Sequence, residues 1–253
     1  MIKEYIIFNL KKSLKYKTNL LSWFIADISL YFSVFFTYSI LLNENDLYFG
    51  MTKDKVLLYV STYTLSNNIF AVFFSEGVST YANSLENGDI IYDLLAPLEI
   101  IKVNELFNLN VPAILISPLL FIINIKLVYI NNLLTIYIFV YYISMFLSAI
   151  CLKYIFLSIY NFKMLRIRTD SIGSLVVNLL EFAEKPRKVF PDKVGKIFTF
   201  LIPIFAMSYI PYDLLVSRKL IWFIILIILN ILWFVIFEML FYSCRLYYDV
   251  DIF

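Results

Sequence analysis

Asp27 is the single charge in the long apolar run Leu20–Leu42. An ionisable group is costly inside a bilayer, so each one found there is a functional candidate. Counted along a helix from Leu20, Asp27 sits about 10 Å deep at 1.5 Å per residue. Its carboxylate could face a transport pathway or a subunit interface. The structural alternative is a carboxylate paired within a helix bundle or reaching back to the headgroups. Asn67 and Asn68, adjacent in the uncharged run Val56–Ser75, could line a pathway or hydrogen-bond neighbouring helices. The rest of the inventory excludes chemistry. The chain has no histidine, which removes Ser-His-Asp and Cys-His catalysis, histidine metal sites and histidine proton relays. It has no GxxxxGK[ST] run and only 5 glycines, so no loop is available to cradle ATP phosphates. Cys151 and Cys244 lie in or near apolar runs with no CxxC, and read as small hydrophobes. No catalytic residue, metal site or cofactor is expected.

A second set of residues could do mechanical work. Between long apolar runs lies Asn83–Leu106, with Glu86, Asp89, Asp93, Glu99 and Glu105 against the single base Lys102. Within it Ile90, Ile91, Leu94, Leu95 and Leu98 fall on one face of a short helix. Asn87-Gly88 reads as the start of that helix, with Asp89 in the first turn, where a carboxylate suits the helix dipole. Pro97 ends it. Such an amphipathic helix, held between two spans, is either a connector lying on the lipid surface or a docking element for a soluble partner.

The elements that position these residues follow from composition. The chain of 253 residues is 62% hydrophobic and 16% charged, against about 25% charged in soluble domains, so lipid must cover most of it. One transmembrane domain, 1–253, fills the length. No basic tract or aromatic-basic stripe points to nucleic acid. Residues 1–19 read as an interfacial helix, with Ile2, Ile6, Leu10 and Leu14 on one side and five lysines that place the N-terminus in the cytoplasm. Spans follow at Leu20–Leu42, Val56–Ser75, Asn108–Ile125 with Pro112 and Pro118 inside, and Leu133–Leu152. The last is Leu220–Phe237.

Two layouts fit the stretch between the fourth and last spans. In one, Ile197–Tyr212 is the fifth span, and Lys153–Lys196 is cytoplasmic. In the other, Ile167–Ala183 is a short fifth span, and Glu184–Lys219 is external, with Ile197–Tyr212 dipping back as a proline-broken hairpin. Charge favours the first, which keeps Lys185, Arg187, Lys188, Lys193 and Lys196 inside. Both place the C-terminus inside.

The order of these features resembles the permease subunits of type-2 ATP-binding-cassette exporters, in the branch of about 260-residue permeases with a separate ATPase. The resemblance rests on the basic amphipathic N-terminus and on Gly88-Asp89 followed by Leu94-Leu95-Ala96-Pro97. It rests also on Phe190-Pro191 with Ile202-Pro203 and Tyr209-Ile210-Pro211, and on Arg245 and Tyr247 after the last span. The basic residues around Arg187 and the tail Tyr247-Tyr248-Asp249-Val250 depart from the family pattern.

The resemblance implies an all-α polytopic membrane protein of six transmembrane helices in the cell membrane, with both termini cytoplasmic. An interfacial helix precedes the first span, and a re-entrant hairpin, within the proline-rich segment 184–219, precedes the last. The resemblance also implies a second permease copy or a paralogous permease, and an ABC ATPase subunit bound to the cytoplasmic segment 76–107. The coupling residues are then Glu86, Gly88, Asp89, Ile90, Leu94, Leu95 and Pro97, while Asp27, Asn67 and Asn68 are candidates for the pathway or dimer interface. The alternative is a secondary transporter or channel-like protein without an ATPase partner. That would call for inverted repeats or mid-membrane charge relays, and the sequence shows neither.

Overall fold

The computed structural model describes residues 17–42, 47–48, 50–88, 109–165 and 170–250. Those residues fold almost entirely as helices, and a single isolated bridge pairs Tyr48 with Met51. Helix α1 is Lys17–Leu41, α2 runs over Lys53–Asn87, α3 is Val111–Ile130 and α4 is Tyr137–Tyr160. The shorter α5 is Asp170–Ala183, α6 is Asp192–Lys196, α7 is Tyr209–Ser217, and the long last helix α8 is Ile221–Val250. Five of these helices are long and apolar enough to cross a membrane: α1, α2, α3, α4 with its 3-10 extension, and α8. The protein is therefore an all-α polytopic membrane protein. The short fifth span expected at Ile167–Ala183 overlaps α5, which at 14 residues is not among the five helices long enough to cross. Of the expected interfacial helix, residues 1–16 lie outside the described residues, and 17–19 already belong to α1.

Several helices continue past the end of their apolar runs. Helix α2 does not stop at Ser75. It passes through a π-helical turn, Ala71–Ser75, and continues to Asn87. The polar-looking extension holds because Val78, Tyr81, Ala82 and Leu85 recur at helical spacing on a buried face. Helix α4 likewise runs past Leu152 and buries Lys153 beside the rings of Phe74 and Tyr154. Helix α3 starts later than its apolar run. Asn110 caps it, its side-chain oxygen accepting from the Ala113 N–H, and Pro112 falls in the first turn, where no donor is needed. Only Pro118 is interior. The amide of Asn110 donates to the Val72 carbonyl within the π turn of α2 at 3.1 Å, a bond that joins the two helices.

Helix α4 packs against α2, α7 and α8. The buried side chains fall into two clusters. One gathers the start of α2 (Val56, Leu58, Tyr59), the end of α3 (Leu127, Val128), Tyr141 and Met145 of α4, and Leu214 and Leu215 of α7. The other gathers Tyr81 and Leu85 from the end of α2, Ile155 and Phe156 of α4, Leu180 of α5, and Ile204–Met207.

Residues 184–219 pack among these clusters. Glu184 meets the Tyr38 hydroxyl near the end of α1. Lys188 Nζ lies 3.9 Å from the point a side chain on Gly50 would occupy. The chain then dips inward as α6, a π turn at Ile197–Leu201 and a 3-10 turn at Ile204–Met207. At the bottom of the dip the Ser148 hydroxyl, midway along α4, donates to the Ala206 carbonyl at 2.6 Å. Helix α7 then returns to pack with the start of α2, the Tyr59 and Ser208 hydroxyls 2.8 Å apart. Both arms of this hairpin lie at the end of the bundle that carries the α1–α2 loop. Ile197–Tyr212 is thus broken into short turns and is not one continuous helix. Its apolar residues pack on α4, and Pro203 interrupts its helical turns.

Candidate functional site

The opposite end of the bundle carries the residues read as coupling elements. Gly88 does not begin a helix there. It closes α2 in the left-handed conformation, φ 79° and ψ 2°, as the C-cap. A Gly before an apolar face suits either end of a helix. The buried face at Val78, Tyr81, Ala82 and Leu85 decides for the end, since glycine takes this conformation without a Cβ clash. Asp89, Ile90, Leu94, Leu95 and Pro97 lie outside the described residues.

The last turns of α2 are held on two sides. The Tyr81 hydroxyl donates to the Asn161 side-chain oxygen, and the Asn161 amide donates to the Phe237 carbonyl of α8 at 3.3 Å. One turn later Glu86 pairs with Lys163 at 3.0 Å. The Lys163 ammonium also lies 5.6 Å from the Tyr160 ring centroid. Asn161 and Lys163 belong to a 3-10 segment, Asn161–Leu165, that extends α4. The end of α2 is thus tied to α4 and α8 together. The sequence signal for Asn161 was a lone amide where an apolar run turns basic.

The intramembrane candidates come together through a residue the sequence reading missed. Tyr31, one helical turn after Asp27 and buried, faces Asn67 and Asn68 of α2, with Asp27 close enough to act on its hydroxyl. Asn68 is fully engaged. Its amide donates to the Ala113 carbonyl at 3.2 Å, and its oxygen accepts from the Ser117 hydroxyl at 2.7 Å, so it joins α2 to α3. Asn67 is half-buried. Replacing Asn68 with Ala will lower stability by about 1–3 kcal/mol, because both bonds are lost from a buried site. Asn67→Ala will have a smaller effect. Thermal unfolding of the detergent-purified protein reads the difference, and an Asn68→Ala protein that melts with the native one overturns the assignment.

A second buried polar layer lies nearer the α1–α2 loop. The Tyr141 hydroxyl sits 2.8 Å from the Thr62 hydroxyl and accepts from the Asn124 amide at 2.9 Å, which also reaches Ser61 at 2.9 Å. In lipid such groups must be satisfied by each other, so they fix how α2, α3 and α4 pack. At the same end, burial raises the Glu184 carboxyl above its usual range, against the opposing hydrogen bond from Tyr38 and the charge of Lys185. Cys151 and Cys244 are free and buried. Among the described residues no three His, Cys, Asp or Glu side chains gather where they could hold a metal ion.

The bundle is thus a set of apolar spans with a proline-broken hairpin, bonded amides between helices and a braced end on α2. A family model described as ABC-2 family transporter protein matches residues 28–249, nearly the whole of it. The chain belongs to the ABC-2 transporter family. No curated protein and no solved structure matches it. The chain is thus an ABC-2 type permease and a multi-pass membrane protein, of a family that works with ABC ATPases. In this ABC-2 permease the matched stretch begins just after Asp27 and takes in Tyr31, Asn67, Asn68, Glu86 and Gly88.

Proposed function

We propose that this ABC-2 permease is the membrane subunit of an ATP-driven exporter in the cell membrane, both termini cytoplasmic. Two permease copies, or this chain and a paralogue, enclose the pathway, and a separate ATPase drives it from the cytoplasmic side. The observation that carries the reading is the length and bracing of α2. At 35 residues it is about 52 Å long, against about 30 Å for the hydrocarbon core, so its last turns stand clear of the lipid tails. Those turns are bonded to α4 and α8, and they deliver the chain into the acidic and apolar segment that begins at Asp89. A lever outside the membrane that is fixed to several spans is what an external motor needs.

The reading assigns no nucleotide chemistry to this chain. Purified alone and free of contaminants, it will hydrolyse no ATP. Turnover above a matched blank preparation would sink the assignment of the ATPase to another polypeptide. In the same reading Asp27, with Tyr31 and Asn67, lies on the pathway or the dimer interface. The support is that α1 is the span least covered by the rest of the chain.

A further inference from the structure

The arm that carries the chain down into the hairpin, α6 and the π turn after it, has two unlike faces. Lys193, Lys196, Ile197, Phe200 and Leu201 recur at i, i+3, i+4, i+7 and i+8, and all of them are exposed. On the other side Gly195 and Thr199 are buried, and the Phe198 ring packs on those of Phe190 and Phe205. A Cβ on Gly195 would come within 3.0 Å of the Arg187 Nε, so Arg187 lies against this inner side and over the Tyr209 ring. The outward face keeps two cations at the end near the α1–α2 loop and three large apolar side chains further into the bundle.

Depth says what that face meets. The bottom of the hairpin is marked by the Ser148–Ala206 bond, and Ser148 is 11 positions, about 16 Å, beyond Tyr137 at the start of α4. That is close to half of the roughly 30 Å hydrocarbon core. Tyr137 and Trp222 stand in the first turns of α4 and α8, aromatic residues suited to the boundary with the headgroups. Leu201 comes 5 positions before Ala206, while Lys196 and Lys193 come 10 and 13 positions before it. The apolar side chains thus lie at acyl-chain depth, and the lysine stems carry their ammoniums up to the headgroups.

The charges say which headgroup. Among the described residues neither ammonium has an ion-pair or hydrogen-bond partner. Residues 185–196 hold five bases, Lys185, Arg187, Lys188, Lys193 and Lys196, against one acid, Asp192. Lysines at i and i+3 are neighbours, about 5–6 Å apart at their Cβ atoms, so both can reach one phosphate. A zwitterionic head would bring a third cation to this pair, whereas an anionic head brings none. We propose that this face binds an anionic phospholipid of the leaflet at this end of the bundle. Lys193 and Lys196 hold its phosphate, and an acyl chain lies along Ile197, Phe200 and Leu201.

The test is native mass spectrometry of the purified full chain as phosphatidylglycerol, phosphatidylcholine or glycerol 3-phosphate is added. Phosphatidylglycerol is expected to bind about thirtyfold tighter than phosphatidylcholine, about fivefold for each lysine at the headgroups. Lys193→Gln/Lys196→Gln removes most of that preference, and Lys193→Arg/Lys196→Arg retains it. Lys53→Gln/Lys55→Gln, a matched pair at the same end but on α2, leaves it in place. Phe200→Ser weakens both lipids alike. Lys193, Lys196 and Phe200 are exposed, so these changes leave the core intact. Equal losses in the two glutamine pairs would reduce the preference to diffuse surface charge and overturn the proposal. Glycerol 3-phosphate binding as tightly as the lipid would make this a soluble anion site and overturn it too. A preference present in the monomer and lost in a dimer would give the face to a second copy, again overturning it. The measurement needs no ATPase, so its failure would leave the exporter reading standing.

Discussion

Changing Leu94 and Leu95 together to Asp will abolish co-purification of the cognate ATPase while the spans still insert. The pair belongs to the apolar face Ile90, Ile91, Leu94 and Leu95, too small to form a core by itself. A partner's groove is the place where it would be buried. Fully burying a leucine contributes about 1.5–3 kcal/mol, so losing two lowers affinity by roughly two to four orders of magnitude. A pair of buried carboxylates adds a further penalty. Gly88→Val tests the same element from its origin. The left-handed backbone at Gly88 aims the chain as it leaves α2. A β-branched residue resists that conformation by about 1–2 kcal/mol, and it will uncouple transport without touching the docking face. If Leu94→Asp/Leu95→Asp inserts, binds the ATPase as before and supports transport, the helix is a surface connector and the coupling proposal is wrong.

The second large effect is one of sidedness. With Cys151 and Cys244 replaced by Ala, a single cysteine at Lys188 or Lys193 will react with an impermeant maleimide on intact cells. A cysteine at Leu47 will do the same, and one at Asn83 will react only after permeabilisation. Leu47, Lys188, Lys193 and Asn83 are all exposed, so reactivity reports side and not burial. The expectation comes from Glu184 meeting Tyr38 and Lys188 approaching Gly50, contacts that put 184–193 and the α1–α2 loop at one end. Opposite labelling of Leu47 and Lys188 would contradict the shared end. Shared labelling of both from the cytoplasm would instead invert the whole chain.

These two experiments fall on either side of the line between what the chain states locally and what its folding decides. The spans were legible because transfer into lipid depends on composition along one helix. Leu20–Leu42 became α1, which starts three residues earlier and ends one residue earlier, and all of Leu220–Phe237 but Leu220 lies within α8. The all-α fold follows, since a closed hydrogen-bond ladder within each helix is what lipid requires. The proline steps were equally local, as each Pro removes a backbone donor, and they mark the broken hairpin at 197–211. The helix ends were less legible. The turns over 76–87 look polar by count, and they are helical because Val78, Tyr81 and Leu85 find α4, α5 and α8 to pack on. The place of 184–196 in the bundle was not legible from charge. Counting Lys and Arg weighs each cation alike, whereas here Arg187 lies over the Tyr209 ring, 4.7 Å from its centroid, and Glu184 reaches Tyr38. The polar partners were not legible at all. Tyr81 with Asn161, Tyr59 with Ser208 and Asn68 with Ala113 stand between 45 and 149 positions apart. A hydrogen bond in a dry bundle is chosen by which helices become neighbours, and only the tertiary structure brings those pairs within reach.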